Sequence, residues 1–345
     1  MATVALVAVV VGVVTIPIAL GRFVSRHTEP QPNAEAPSRA VLHHNGEIVM
    51  GVDNSLVAID PATGRHHVIL SVPAGDVVAS PTYSPDGTKL AYLRGRVVGF
   101  GNNVSGSSDA MDSIWILDIA TGRARQLTKC QGCGPYDYID WSPDGTRLAF
   151  SEDDQSGTLQ LHLINVDGSH LRQLTHFPAA QNATQPTWSP DGTRIAFTFF
   201  AVAKDLNQMT VFPTVNIDVI RPDGTGFAVL VEAAPAELGQ DGGPYLDPAW
   251  SPDGSRIAYL LDPWPRGSGV DFQLWLMHPD GSHRTDIFQY PNCCVNAWGG
   301  PEWSPDGTRI AVVTAHSLWV MNADGSARTS PGVMSGDRPA WQPLP

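Results

Sequence analysis

Apolar residues along most of this chain come in short runs that alternate with polar ones, and glycine, proline and aspartate cut the runs off. In Trp141-Ser142-Pro143-Asp144-Gly145-Thr146-Arg147-Leu148-Ala149-Phe150, an extended backbone puts Leu148 and Phe150 on one face and Arg147 and Ala149 on the other. The residues before them read as a strand end and a tight turn. Pro143, with its φ pre-set by the ring, suits the second position of a type I turn. Asp144 suits the third, and Gly145 takes the positive φ that rejoins a ladder. The frame begins at Tyr83, Trp141, Trp188, Trp250 and Trp303, separated by 58, 47, 62 and 53 residues. Each glycine is followed by Thr or Ser, Lys or Arg, Leu or Ile, and Ala. A pattern recurring at this spacing means one supersecondary unit per repeat.

A second element recurs between these hairpins. It reads Leu56-Val57-Ala58-Ile59, Ile114-Trp115-Ile116-Leu117, Leu161-His162-Leu163-Ile164, Ile217-Asp218-Val219-Ile220, Leu274-Trp275-Leu276-Met277 and Leu318-Trp319-Val320-Met321. Each is a short apolar strand running into a glycine turn such as Thr121-Gly122 or Asp167-Gly168, with another strand after it. Four strands per repeat, joined by tight turns, predict the blade of a β-propeller. The apolar strand occurs six times and the full hairpin five. Near the C-terminus, Arg338-Pro339-Ala340-Trp341-Gln342-Pro343 repeats the frame of Pro248-Ala249-Trp250-Ser251-Pro252 and stops, while residues near 40–72 supply three strands without a first. Joining the two termini gives a sixth blade and closes the ring, which removes open sheet edges. The expectation is an all-β, six-bladed propeller of four-stranded blades over residues 40–345. In the first strand, Pro81, Pro186, Pro248, Pro301 and Pro339 stand two residues before the aromatic, and Ile139 takes that place in the remaining copy. Proline donates nothing to a ladder, so it belongs on a strand with an unpaired edge, such as the one facing a central channel.

Composition adds two things. The 33 Gly and 29 Pro suit many short strands joined by turns. The net charge of −13, with no long Lys/Arg run, excludes a nucleic-acid backbone as partner. The N-terminus is different in kind. Residues 2–20 are uncharged and mostly Val, Ala and Ile, about the length that crosses a bilayer core as a helix. Residues 1–21 are therefore expected to be a transmembrane anchor or uncleaved signal, and residues 22–39 a proline-rich linker. Arg22 and Arg26 follow the apolar run and no Lys or Arg precedes it, so the positive-inside rule alone would put the following domain in the cytoplasm.

The repeated [Trp/Tyr]-Ser-Pro-Asp-Gly-[Thr/Ser]-[Lys/Arg]-[Leu/Ile]-Ala resembles the WD40-like PD40 repeat of the TolB-type propellers, and similar repeats form the propeller domains of prolyl oligopeptidase-like enzymes. The resemblance covers about residues 40–345 and rests on scaffold residues. It implies a protein-interaction platform, often extracytoplasmic in bacteria, and transfers no catalytic residue. The expected localisation is thus membrane-anchored with an extracytoplasmic propeller, against the direction of the flanking charges.

The expected function is a non-catalytic, membrane-anchored scaffold that binds a protein or peptide partner. The turns inside each hairpin are short, whereas the connections on the opposite face are long, as in Arg94 to Asp112, Ala201 to Thr214 and Glu232 to Tyr245. Function tends to ride on variable loops held by a rigid scaffold, which favours the long-loop face. Tyr136, Asp137, Asp140, Asp247, Glu302 and Arg338, on or just before the first strands, are candidates to line the channel mouth. Cys130, Cys133, Cys293 and Cys294 fall between blades on the long-loop side and leave three readings open. These are local disulfides, which are favoured, free thiols, and a four-sulfur metal site. No Gly-x-Ser-x-Gly elbow, phosphate loop or dinucleotide fingerprint occurs, and neither cofactor nor metal is expected. The alternative is a propeller enzyme, a lyase or hydrolase with a metal or polar site at the channel mouth.

Overall fold

The structure is a computed structural model that describes residues 44–96, 110–133, 138–153, 157–204, 210–232, 245–261, 270–291, 299–314, 317–332 and 337–344. These form six antiparallel four-stranded sheets, each running outward from an innermost strand. Blade 1 joins β1 (His44–Val52), β2 (Ser55–Ile59) and β3 (His66–Ser71) to β24 (Ala340–Leu344), its innermost strand. Blade 2 is β4 (Asp76–Tyr83), β5 (Lys89–Arg96), β6 (Ala110–Asp118) and β7 (Arg123–Cys133). Blade 3 is β8 (Ile139–Trp141), β9 (Arg147–Asp153), β10 (Leu159–Asn165) and β11 (Arg172–Gln173). Blade 4 is β12 (Gln181–Trp188), β13 (Ile195–Lys204), β14 (Thr210–Ile220) and β15 (Ala228–Glu232). Blade 5 is β16 (Tyr245–Trp250), β17 (Ile257–Leu261), β18 (Val270–Met277) and β19 (Thr285–Pro291). Blade 6 is β20 (Gly299–Trp303), β21 (Arg309–Thr314), β22 (Ser317–Asn322) and β23 (Thr329–Gly332). The ring closes as the truncated last repeat predicts, with Trp341 opposite Ile48 and Ala340 opposite Val49. Residues 2–20 and the linker lie outside the described residues, among which no helix is long and apolar enough to cross a membrane.

The core sits between blades. Trp141, Leu148 and Phe150 of blade 3 pack on Ala79, Ala91, Leu93 and Ile114 of blade 2, and Trp341 and Ile48 of blade 1 pack on Ala311 and Val313 of blade 6. The repeat aromatic also carries a polar tip. The Trp141 indole N–H donates to the Thr82 carbonyl at 3.0 Å and that of Trp303 to the Ala249 carbonyl at 3.1 Å, each on the preceding blade. The basic residue of the hairpin reaches the other way. Arg147, Arg194 and Arg256 lie 4.9 Å over the rings of Trp188, Trp250 and Trp303, so the guanidinium of one repeat covers the aromatic of the next.

The turn is built as its sequence dictates. The Gly145 N–H donates to the Ser142 carbonyl at 2.8 Å with Gly145 at φ 68°. Asp144 accepts from the Ser142 hydroxyl at 2.6 Å and from the Thr146 N–H and hydroxyl at 3.0 and 2.8 Å. The pieces Asn165–Asp167 and Asn322–Asp324 are turns of a related kind, with Asp167 and Asp324 accepting from the Ser169 and Ser326 N–H groups.

The prolines of the innermost strands mark bulges. Ladder register shifts between Ala79 and Thr82, Thr184 and Thr187, Leu246 and Ala249, and Gly299 and Glu302, the segments that hold Pro81, Pro186, Pro248 and Pro301. The residue before the proline is left-handed at Ser80, Gln185 and Asp247, with φ of 51°, 57° and 57°. Such bulges bend a strand and re-aim one side chain. Here they deliver the position three residues before the aromatic to the channel.

Candidate functional site

Two layers of side chains fill the middle of the ring, set by two positions of the repeat. One residue before the aromatic stand Thr82, Asp140, Thr187, Ala249, Glu302 and Ala340. Three residues before it stand Ser80, Tyr138, Gln185, Asp247, Gly300 and Arg338. The first layer lies nearer the Ser-Pro-Asp-Gly turns. Together with Pro85, Pro143, Pro190, Pro252, Pro305 and Pro343 it lines a funnel of about 670 Å³, with Asp140, Glu302 and Arg338 at its floor. The funnel therefore opens on the face of the short turns.

The second layer closes the channel beneath that floor. Tyr138 and Arg338 are buried, and the guanidinium lies 4.8 Å over the phenol ring. Arg338 donates to the Glu302 carboxylate at 3.2 Å; 8% of its side chain is exposed, against 28% for Glu302, so the acid is the more open of the two at the floor. Asp247 keeps one carboxylate oxygen buried without a hydrogen-bond partner. Asp140 accepts the Trp188 N–H at 2.6 Å, tying blade 3 to blade 4. Asp337 accepts from Gly51 N–H at 2.8 Å and from the Ser80 N–H, tying blade 1 to blade 2.

Four carboxylates thus share one arginine, and burial dominates their titration. It pushes Asp140 up to about 6, although Arg338 and the Trp188 N–H pull the other way. Burial likewise raises Asp247 to about 7 against the pull of Arg338 and Tyr138, and Asp337 to about 7 against the Ser80 and Gly51 N–H groups. Glu302 rises to about 7 through burial; Arg338 opposes this and the Asp140 charge adds to it. Burial disfavours the charge on Arg338, but Glu302 and Asp140 outweigh it and hold the guanidinium protonated. The turn aspartates behave in the opposite way. Burial raises Asp86 and Asp144 too, yet the hydroxyl and N–H bonds within each turn win, holding Asp86 at about 2 and Asp144 below its ordinary value.

Of the sequence candidates, the structure brings Asp140, Asp247, Glu302 and Arg338 into one cluster. Tyr136, Asp137, Cys293 and Cys294 lie outside the described residues. Cys130 and Cys133 fall on the outermost strand of blade 2, with Cys133 paired opposite Met111, rather than in a loop between blades. Their side chains are outside the described residues. The repeat aromatics Tyr83, Trp141, Trp188, Trp250, Trp303 and Trp341 serve the blade interfaces, with their edges reaching the funnel wall. Most of the long loops, residues 97–109, 205–209, 233–244, 262–269 and 292–298, also lie outside the description; among the described residues the turn face carries a concave surface. Sequence reasoning missed Tyr138, Gln185 and Asp337. A signal for the first two was present, since the column three residues before the aromatic holds six different side chains beside a nearly constant proline.

Residues 54–200 match the family model of the TolB beta propeller domain, PD40, and the repeats are of that kind. An uncharacterized peptidase of Bacillus subtilis, YuxL, is 35% identical over 104 residues, 29% of this chain; the chain spans only 14% of that relative. Among solved structures, TolB from Acinetobacter baumannii superposes with a TM-score of 0.59 at 21% identity, over 86% of this chain and 67% of TolB. Oligogalacturonate lyase in complex with manganese superposes with a TM-score of 0.51 at 17% identity, over 85% of this chain and 72% of the lyase. These likenesses establish the propeller fold. A fold shared by binding proteins and enzymes leaves function to the site.

Proposed function

We propose that this chain, built on the PD40 repeats of the TolB-type propellers, is a non-catalytic scaffold that seats a segment of a protein partner in the funnel on its turn face. The observation that carries this is the funnel itself, about 670 Å³ with a floor of Asp140, Glu302 and Arg338. That volume falls within the range of small-ligand clefts and takes several side chains of an extended segment. Its wall is made of hydrogen-bonded turns and proline rings, a surface that loses little conformational entropy when covered. On this reading docking uses the turn face rather than the long-loop face that the sequence favours. The test is a photo-crosslinking residue at Lys89, on the funnel wall, compared with one at Thr210, on the long-loop side, in cells. Crosslinks to one protein from position 89 support the reading, and crosslinks from position 210 alone overturn it.

A catalytic reading has one observation in its favour. Asp140 and Glu302 are carboxyls with raised pKa values beside a fixed guanidinium in a cleft, the arrangement from which general bases are recruited. Turnover of a peptide or polysaccharide panel that is lost in both Asp140→Asn and Glu302→Gln, with unchanged melting, would establish it over the scaffold reading.

We also propose that residues 2–20 anchor the propeller to a membrane on its extracytoplasmic side. The length and apolarity of that segment and the kind of repeat support it. Alkaline phosphatase fused after residue 345 should be active, and an active cytoplasmic reporter at the same point would reverse the orientation.

A further inference from the structure

We infer that the funnel recognises its partner through a basic side chain, lysine or arginine, seated on Asp140 and Glu302. This rests on the docking reading above and adds the chemistry of the anchor.

Charge at the site is unbalanced. Asp140 and Glu302 reach the floor from blades 3 and 6, Asp247 and Asp337 lie behind them, and Arg338 is the one described cation among these four acids. The other first-layer residues on the lining are Thr82, Thr187 and Ala249, none of which carries charge. Around the mouth, Asp86 and Asp144 are held ionised by their own turns, against one lysine, Lys89, on the lining. A second observation is independent of this count. Asp247 is 6% exposed, and one oxygen of its carboxylate has no hydrogen-bond partner, directly under the floor. When ionised, Asp247 adds negative potential beneath the floor, which favours a cation at Asp140 and Glu302.

Arg338 does not discharge this demand. Its guanidinium is committed to Glu302 from below and to the face of Tyr138, so the upper side of the carboxylate pair remains open to the funnel. An ammonium or guanidinium arriving from the turn side completes the pairing and passes an acidic rim on its way. An acidic segment meets like charge at the rim and at the floor. Near neutral pH the floor acids are partly protonated, so a cation that binds them displaces protons, and binding strengthens as pH rises.

The test uses the full chain and two capped peptides, acetyl-Ala-Lys-Ala-Lys-Ala-amide and the same sequence with Glu for Lys, titrated calorimetrically at pH 5.5 and pH 8.0. The lysine peptide is expected to bind about ten-fold more tightly at pH 8.0 than at pH 5.5, one pKa unit of coupling being worth a factor of ten. In a third titration at pH 6.5, where the floor acids are partly protonated, it should release protons in buffers of differing ionisation enthalpy. Asp140→Asn and Glu302→Gln should each weaken binding about ten-fold with unchanged melting. In both variants the amide oxygen that replaces the carboxylate can still accept one native hydrogen bond, from the Trp188 N–H in the first and from Arg338 in the second. Equal affinity for the two peptides, or lysine-peptide affinity independent of pH and of both substitutions, overturns the inference. So does the absence of binding at millimolar concentration. In each case crosslinking from position 89 still decides the docking reading separately.

Discussion

The Tyr138 hydroxyl accepts a hydrogen bond from the Gly300 N–H at 3.2 Å, joining residues 162 apart in sequence that enter the channel from blades 3 and 6. The bond crosses the channel between blades three places apart in the ring. It also explains the glycine, because a Cβ on Gly300 would lie 2.5 Å from the Asp247 Cβ. Gly300→Ala is therefore expected to cost about 1–3 kcal/mol by overpacking. Tyr138→Phe should cost about 1–3 kcal/mol by leaving a buried N–H unpaired. Urea titration of both variants checks this, and a stability for Gly300→Ala equal to the parent would contradict the packing described.

Asp218 holds a position on the third strand that is tryptophan in blades 2, 5 and 6. It is 1% exposed on β14, with neither carboxylate oxygen hydrogen-bonded. Burial raises it to about 7, and the charge of Glu232 adds to the rise. Asp218→Leu removes an unpaired buried polar group at the blade 3–blade 4 interface. It should stabilise the protein at pH 8 by about 1–3 kcal/mol, read from denaturant midpoints.

Stability should depend on pH in a definite direction. Asp218 and the channel acids have folded pKa values above their unfolded ones, so the native state holds extra protons between about pH 4 and pH 7. Their contribution is complete below about pH 4 and is lost as pH rises through the folded values. The turn aspartates, with Asp86 lowered to about 2, contribute above about pH 4 and lose that contribution as pH falls. Stability is expected to peak on the acid side of neutrality, and Asp218→Asn should flatten the decline above it. A melting temperature that climbs steadily from pH 4 to pH 8 would refute this.

Asp337 ties the closing strand to its neighbours by accepting two backbone N–H groups with its two oxygens. Asn can accept only one of them, so Asp337→Asn should cost about 1–3 kcal/mol. The loss should appear first as faster hydrogen exchange in β1 and β24, because the ring opens where its two termini meet.

The stacked arginines allow a graded test. Arg194→Ala removes a guanidinium 4.9 Å over Trp250 and is expected to cost about 0.5–2 kcal/mol. Arg194→Lys should recover part of it, as seen in thermal melts.

The repeat was legible because its chemistry is local. A Pro-Asp-Gly turn closes on its own hydroxyl and N–H groups, so Asp144 and Gly145 identify it without any neighbour. Alternation around Leu148 and Phe150 sorts the side chains onto two faces, each of which packs on a neighbouring blade, and the truncated copy at Trp341 announces closure of the ring. Asp140, Asp247, Glu302 and Arg338 could be proposed for the channel mouth because they stand at fixed offsets from those aromatics.

By itself the sequence determined the blade, the number of blades and the strand that closes them, since turn geometry, β alternation and hydrophobic spacing act over a few residues. Only the tertiary structure decided that the turn face carries a funnel, that Tyr138 and Arg338 are buried beneath it, and that four acids share one guanidinium. Those outcomes depend on the bulges at Ser80, Gln185 and Asp247 and on how six chain segments, far apart in sequence, converge on one axis. Burial and mutual electrostatics exist only once that convergence has occurred.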